Sequence, residues 1–262
     1  MSTWQFDPLT YQVGWRSFGV DRPHYPFQFR PSSATADEYD NECLAAAMRF
    51  RNMLDDDLYW AFVTMLSPEG RVYACGFAGE GDATKVRIYA AVRGAHAVVV
   101  SQEPGPDHRC GGTVQVTRLP HRNCGQAVLQ ALPAVGAGSR SRIDVDRLSL
   151  ETEPEDDFDT PASWLRSSAP STTPRQDFES LLSRPRVGVG RVEVYAGPTI
   201  AQRDTGGARD VRWVDIADDG RYLVAQGPRT VSVLPGTADV FAAQIQKLVT
   251  AAVEDNRSEL AV

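Results

Sequence analysis

Two pairs of histidine and cysteine are the strongest candidates for chemistry in this chain. His108 and Cys110 are separated by one residue, and His121 and Cys124 by two. Imidazole and thiolate groups are common ligands of tetrahedral zinc, so the four side chains could complete one metal site. The residues between the pairs, however, predict a strand of about seven residues, which at ~3.3 Å per residue holds the pairs roughly 20 Å apart. The spacing favours incidental thiols, and a metal-binding protein is kept as an alternative.

Other patterns typical of catalysis are missing from the sequence. The four histidines occupy separate predicted turns or strands, and no motif ties one of them to a cysteine or serine nucleophile. The glycine-rich stretches at 79–81 and 187–191 lack nucleotide-binding spacings, and we expect both to be hairpin turns. We therefore expect no enzyme, no cofactor and no metal, with a small-ligand-binding α+β protein as the other alternative.

Composition and charge narrow the class of protein. The chain has 262 residues, of which 42% are hydrophobic and 23% charged, with a net charge of −7. These values are ordinary for a globular protein with a sizeable core, and the negative charge argues against a nucleic-acid partner. No stretch approaches the ~18 apolar residues that span a bilayer, and the first residues do not resemble a signal peptide. The four scattered cysteines indicate reduced thiols, so we expect a soluble, cytoplasmic protein without a membrane partner.

The elements that would position these residues occur in two similar series. The first predicts helices at 8–18, 37–53 and 56–66, a strand at 71–77, a hairpin of 86–92 with 95–101, a strand at 113–119 and a helix at 120–132. The second predicts a helix at 178–182, a strand at 191–195, a hairpin of 211–216 with 222–226, a strand at 230–234 and a helix at 237–254. Hairpin connections make the strands antiparallel, which predicts an α+β fold.

Short matches between the two series indicate a duplicated unit. They pair Asp57 with Asp177, Arg71 with Arg191, Val86-Arg87 with Val211-Arg212, Thr113-Val114 with Thr230-Val231, Leu119-Pro120 with Leu234-Pro235 and, faintly, Phe6 to Thr10 with Val145 to Ser149. Two copies that each expose an apolar sheet face usually associate. We therefore expect one globular unit made of an N-terminal half (1–135), a linker and helical segment (136–176) that contains an acidic run at 151–159, and a C-terminal half (177–262).

The C-terminal half resembles the EspG family, cytosolic chaperones of ESX (type VII) secretion in actinobacteria. The resemblance rests on D-F-E-S-L-L-S-R-P with V-G-V-G-R-V-E-V at 177–194, V-R-W-V-D-I-A-D-D-G-R-Y-L-V at 211–224 and V-S-V-L-P at 231–235. The N-terminal half is similar in layout, with a proline-rich segment near 23–31 and D-L-Y-W-A-F-V-T-M-L-S-P before its first strand.

The resemblance implies two related sheet-and-helix halves with quasi-twofold symmetry, in which a central antiparallel sheet is flanked by helical bundles. It also implies a chaperone that binds the apolar tip of a PE–PPE heterodimer, or a related helical client, and keeps it soluble for export. Family members bind mainly through the loop between the second and third strands of the N-terminal half and through the C-terminal helices. In this sequence the loop matches 78–84, and the helices match parts of 160–182 and 237–254.

The resemblance thus implies client contacts in three places, in a protein that we expect to be a monomer or homodimer. The loop contributes Phe77, Gly79, Glu80 and Asp82, the first helical segment Trp164 and Leu165, and the last helix Val240, Phe241, Gln244, Ile245 and Leu248. The loop is short and has few apolar residues, which shifts weight to the helices. On the last helix, a core stripe and an interface stripe have the same spacing in sequence.

Overall fold

A computed structural model describes residues 1–22, 24–151, 173–199 and 208–260 of the protein. Its strands are β1 Ser2–Phe6, β2 Gly70–Ala78, β3 Thr84–Arg93, β4 His96–Pro104, β5 Gly111–Pro120, β6 Ile143–Asp146, β7 Arg186–Ala196, β8 Arg209–Ile216, β9 Gly220–Gln226 and β10 Thr230–Pro235. Its α-helices are α1 Pro8–Ser17, α2 Ala36–Met53, α3 Asp56–Leu66, α4 Cys124–Gln130, α5 Arg147–Glu151, α6 Pro174–Leu182 and α7 Ala238–Leu260. Short 3-10 turns occupy Glu80–Asp82 and His121–Asn123.

Within the described ranges, ten strands form a single antiparallel sheet in the order β1-β5-β4-β3-β2-β7-β8-β9-β10-β6. The order is symmetric about the β2–β7 pair, because each strand of the first series has a counterpart at the same distance on the other side. The ladder between β2 and β7 runs from Gly70 opposite Ala196 to Ala78 opposite Gly188. The predicted α+β class with a central antiparallel sheet is confirmed, and we call the β2–β7 pair the seam.

The outer strands follow the repeat that the sequence indicated. Phe6 lies opposite Val114 between β1 and β5, and Val145 lies opposite Val231 between β6 and β10. The faint match of Phe6 with Val145 therefore marks equivalent edge strands, each followed directly by a helix. As a result, part of the predicted linker at 136–176 belongs to the sheet.

The inner strands do not follow the predicted matches. Arg71 lies opposite Ala91 in the β2–β3 ladder, whereas Arg191 lies opposite Arg212 in the β7–β8 ladder. Equivalent residues should have equivalent partners on the neighbouring strand. A match of Arg71 with Arg191 would therefore make their partners, Ala91 and Arg212, equivalent. The sequence comparison instead matched Arg212 with Arg87, so the two matches are incompatible. The environments differ too, because Arg71 is buried and the Arg191 side chain is 54% exposed. Alternating strands rich in Val and Arg resemble each other in several registers, which makes these inner matches misleading.

Helices cover both faces of the sheet. Because side chains alternate along a strand, Trp213 and Val214 point to opposite faces. On the Val214 side, face A, helices α1 and α3 cover the N-terminal strands and α6 the C-terminal ones. On the Trp213 side, face B, α4 and α7 pack against each other and against strands of both halves. The flanking helices expected from the resemblance are therefore present.

Capping side chains begin the face A helices. Asp7 accepts a hydrogen bond from the Thr10 amide at 2.9 Å, and Asp55 accepts one from the Leu58 amide at 2.7 Å. Thr35 and Glu38 form a reciprocal capping box at the start of α2. Two elements differ from expectation: residues 2–6 form a strand that was not predicted, and the predicted helix at 120–132 is shortened to α4 because β5 extends through Pro120.

Two glycines towards one end of the seam leave room for a tryptophan. Gly76 and Gly190 lie opposite each other, and an added Cβ on either would overlap the indole of Trp213. Trp213 is buried on face B, where its ring centroid lies 6.2 Å from that of Phe241 in α7. The expectation that 187–191 forms a hairpin turn is therefore wrong. These glycines lie within a strand, because the neighbouring side chain needs the space of the missing Cβ.

We predict that Gly190→Ala lowers the free energy of unfolding by about 1–3 kcal/mol, because the new methyl group overpacks the seam. Gly136→Ala is the matched control, since a Cβ at Gly136 meets no atom within 4 Å. We expect this control to be neutral or to stabilise by up to about 1 kcal/mol. Urea titration of both variants measures the difference. Equal stability of the two would mean that the seam tolerates side chains.

A half-buried histidine makes the N-terminal half sensitive to acid. The His24 ring stacks on Tyr89 with centroids 4.9 Å apart and meets Trp15 edge-on at 4.6 Å. Burial, reinforced by the Arg71 cation, lowers the pKa of His24 to about 4. The folded protein therefore holds this imidazole neutral at pH values where the unfolded chain, with a histidine pKa of about 6.5, takes up a proton.

We predict that the contribution of His24 to stability is complete above pH 6.5 and is lost as the pH falls towards 4, by roughly 3 kcal/mol in total. His24→Phe keeps a flat ring but cannot titrate, so its unfolding midpoint should depend less on pH in this range. His96→Phe, at an exposed position, is the control and should behave as the wild type. Parallel pH profiles of wild type and His24→Phe would contradict the assignment.

Candidate binding surface

The loop between β2 and β3 folds back onto the first residues of β7. Gly79, Gly81 and Asp82 have φ values of 83°, 65° and 58°, a backbone conformation that glycine adopts without steric cost. The Gly79 amide donates a hydrogen bond to the Val187 carbonyl at 2.7 Å, across the end of the seam. The chain folds this way because the glycines allow the reversal and the β7 carbonyl satisfies the amide. A loop of the first half is thereby fixed to a strand of the second.

This loop and the end of α6 enclose a concave surface of about 500 Å³. We call it the loop surface. It is lined by Gly81, Asp82, Leu182, Ser183, Arg184, Pro185, Arg186 and Val189. The lining combines apolar side chains with two arginines and one aspartate, a composition suited to an amphipathic protein segment.

A row of side chains on face A forms the apolar floor of the loop surface and continues beside it. Phe77 lies opposite Lys85 in the β2–β3 ladder and opposite Val189 in the seam. Phe77 and Val189 are both half-buried, and Val187 is 36% exposed. The Phe77 ring also meets His108 edge-on at 5.5 Å, which fixes its orientation. Partly exposed apolar groups therefore continue from the concave surface across the seam.

Asp219 fixes the arginine at the edge of the loop surface. Its carboxylate accepts hydrogen bonds from the Ser139 amide at 2.8 Å, from the Tyr222 hydroxyl at 2.9 Å and from the Arg184 guanidinium. The Ser139 amide and these other donors hold the pKa of Asp219 well below its usual range. The charge of Arg184 is therefore held in one place at the end of α6.

The structure brings together only some of the residues expected to contact a client. Phe77, Gly79, Glu80 and Asp82 lie at or beside the loop surface. Trp164 and Leu165 lie outside the described residues. The side chains of α7 lie on face B, across the sheet from α6, which is the described part of the 160–182 segment.

Two of the α7 residues are core residues, which corrects the expectation for them. Phe241 and Ile245 have no exposed surface and pack with Trp213 in the face B core. Gln244 and Leu248 are half-buried, whereas Val240 is 41% exposed. The 3-4 apolar spacing of this helix thus reflects packing against the sheet. Val240 is the most accessible of the five predicted positions on α7.

The histidine–cysteine pairs do not meet. His108 and Cys110 precede β5, and His121 and Cys124 follow it, so a ten-residue strand of roughly 33 Å separates them. Burial among apolar side chains raises the pKa of Cys124 to about 12, which keeps it a thiol. In the ranges that the structure describes, no group of three or more His, Cys, Asp and Glu side chains could hold a metal ion.

Several lining residues were not expected from the sequence. Leu182, Arg184 and Val189 come from the start of the C-terminal half, far in sequence from the loop that they adjoin. Their spacing carries no motif, because it is the seam that brings them to the loop. The repeat is the signal in the sequence that could have predicted this proximity. Two copies that form one symmetric sheet must be joined through equivalent strands, here β2 and β7.

The fold and this surface define a class of protein: an α+β protein with one antiparallel sheet across both halves and a solvent-open concave surface between them. Among the described residues, no helix is both long and apolar enough to cross a membrane. The chain belongs to the EspG family, whose profile matches residues 7–247.

A solved structure shares this fold. It is the Mycobacterium tuberculosis type VII secretion system chaperone EspG5 in complex with a PE25–PPE41 dimer. The match has a TM-score of 0.60 and 13% sequence identity, and it covers 96% of each chain. No curated protein matches the sequence significantly.

We predict that Asp219→Asn destabilises the protein by about 2 kcal/mol, because it weakens charge-assisted hydrogen bonds that hold the end of α6. Asp218→Asn is the neighbouring control. Asp218 has a φ of 57°, a region that asparagine adopts readily, so this change should be neutral or slightly stabilising. Chemical denaturation distinguishes the two. Similar losses at both positions would indicate a general charge effect at this turn.

Proposed function

We propose that this protein is a type VII (ESX) secretion chaperone that binds a helical client, such as a PE–PPE dimer, in the cytoplasm and keeps it soluble for export. Membership of the EspG family supports this role, and so does the complex in which the similar EspG5 was solved. The proposed action is binding without catalysis. The structural feature that best supports the proposal is the loop surface, where the β2–β3 loop of one half adjoins α6 of the other.

The chemistry of the loop surface suits an apolar helical tip. Val187, Val189, Leu182 and Phe77 offer partly exposed apolar groups, and Arg184 and Arg186 line the edge. Covering a few hundred Å² of apolar surface at ~25 cal/mol per Å² gives several kcal/mol, enough to compete with self-association of the client. The arginines, of which Arg184 is held by Asp219, would contribute to specificity, because they favour a client with acidic or carbonyl groups beside its apolar tip.

Co-expression tests the proposal directly. The probe is the PE–PPE pair, or related helical pair, encoded beside this gene, produced with and without this protein. We expect the client to become soluble and to co-elute in size-exclusion chromatography when the chaperone is present. A client that is equally soluble alone and never co-elutes would contradict the proposed function.

We predict that Val189→Glu weakens client binding about tenfold or more, because it places a charge in the apolar floor of the loop surface. Val240→Glu is the matched comparison, since Val240 is an exposed valine on face B. Isothermal titration of both variants, with melting temperatures as a folding control, locates the site. Loss of binding in Val240→Glu alone would place the client on α7 instead.

A further inference from the structure

A second cavity adjoins the β2–β3 loop on the side away from the loop surface. It has a volume of about 250 Å³ and lies between β3 and the loop that joins β4 to β5. It is lined by Ala83, Lys85, Arg87, Pro104, Gly105, Pro106, Asp107 and His108. Ala83, Pro106 and His108 are exposed at its rim, and Lys85 is half-buried inside it.

Arg87 forms the inner wall of this cavity with part of its hydrogen-bonding capacity unused. The side chain is buried, with 1% exposure. Nη2 donates to Gln28 Oε1 at 3.0 Å and to the His108 carbonyl at 2.8 Å. Nε and Nη1 are buried, and neither has an acceptor among the described residues. Burial lowers the pKa of Arg87, but a guanidinium stays charged at neutral pH.

Local charges compensate this cation only in part. Across the described ranges, no carboxylate lies within ion-pair distance of Arg87 or Lys85. Asp107, the acidic residue of the lining, accepts hydrogen bonds from the amides of Arg109 at 2.7 Å and Cys110 at 3.0 Å. These bonds shape the loop, and the Asp107 charge offsets part of the positive charge of Arg87 and Lys85. The cavity retains an excess of positive charge.

A structural role explains the hydrogen bonds of Arg87 Nη2 but not its charge or its unused donors. Its Nη2 contacts anchor Gln28 and the β4–β5 loop, but a neutral amide donor could make them without bringing a charge into the interior. Buried donors without acceptors are rare, because each loses its hydrogen bonds to water without replacement. An oxyanion would provide the missing acceptors and neutralise the charge, with Lys85 available as a second cation.

We propose that this cavity binds a carboxylate side chain of the client, next to the apolar contact on the loop surface. The proposal rests on the proposed chaperone function. Phe77 links the two regions, because it contacts His108 at the cavity and lies opposite Val189 at the loop surface. The chaperone would then bind the apolar tip of the client and a neighbouring acidic residue at the same time. Lys85 and Arg87 would therefore help to determine which client is bound.

The test measures binding of the co-purified client to wild type, Arg87→Met, Lys85→Met and Arg93→Met. Methionine keeps an unbranched chain and removes the charge. We expect affinity to fall about 10- to 100-fold for Arg87→Met and somewhat less for Lys85→Met. Arg93 is the control because it is exposed at the far end of the same strand. Its substitution should leave affinity unchanged.

Stability separates a binding role from a structural one. If Arg87 serves the client, Arg87→Met should melt close to the wild-type temperature, because removal of a partly compensated buried charge offsets the loss of the two Nη2 hydrogen bonds. If that variant fails to fold, Lys85→Met decides, since no hydrogen bond or ion pair of the Lys85 side chain is seen among the described residues. In addition, acetate at matched ionic strength should raise the melting temperature of wild type more than that of the cavity variants.

The outcomes are distinguishable. If wild type captures no client, the proposed function fails, and the client carboxylate with it. If wild type binds and all three variants bind equally, only the carboxylate site is overturned. If inorganic phosphate protects wild type but the variants bind client normally, the cavity takes a free anion, which also overturns the proposal.

Discussion

The contact between Trp213 and the bare backbone of Gly76 and Gly190 is the constraint on which the rest of the structure depends. These glycines lie opposite each other in the strand pair that joins the two halves, and the indole occupies the space that their side chains would need. Trp213 in turn packs against Phe241 and so holds α7 against the sheet. Beside it, the buried Arg221 pairs with Asp215 at 2.7 Å and donates to the Pro133 carbonyl at 3.0 Å. Sheet continuity and the seating of α7 thus share one well-packed region.

The pairing of β2 with β7 also creates the loop surface. Because β2 and β7 are neighbours, the β2–β3 loop lies beside the chain entering β7 and beside the end of α6. Neither half has this surface alone. The cation-lined cavity on the other side of the same loop is built within the N-terminal half, from β3 and the β4–β5 loop. An apolar contact and a charged one therefore flank a single loop, an arrangement suited to recognising one end of a helical client.

Symmetry explains the scaffold, and departures from it explain the surfaces. The outer strands keep equivalent registers in both halves, as Phe6 and Val145 demonstrate. The helices differ more, since α1–α3 cover one half of face A and the short α5 and α6 serve the other. Phe77 and Val189, near the seam on the same face, are partly exposed.

Sequence by itself determined the local elements, the α+β class and the duplication, because hydrophobic periodicity, capping residues and turn glycines act over a few neighbouring positions. The resemblance carried by the 177–235 motifs also identified the family and placed Phe77 to Asp82 at a candidate surface. Only tertiary structure decided that Gly190 lies in a strand under Trp213, that Phe241 and Ile245 are core, and that Leu182 and Val189 adjoin the loop. These facts depend on contacts between residues far apart in the chain, and an apolar stripe has the same spacing whether it packs on a sheet or on a partner.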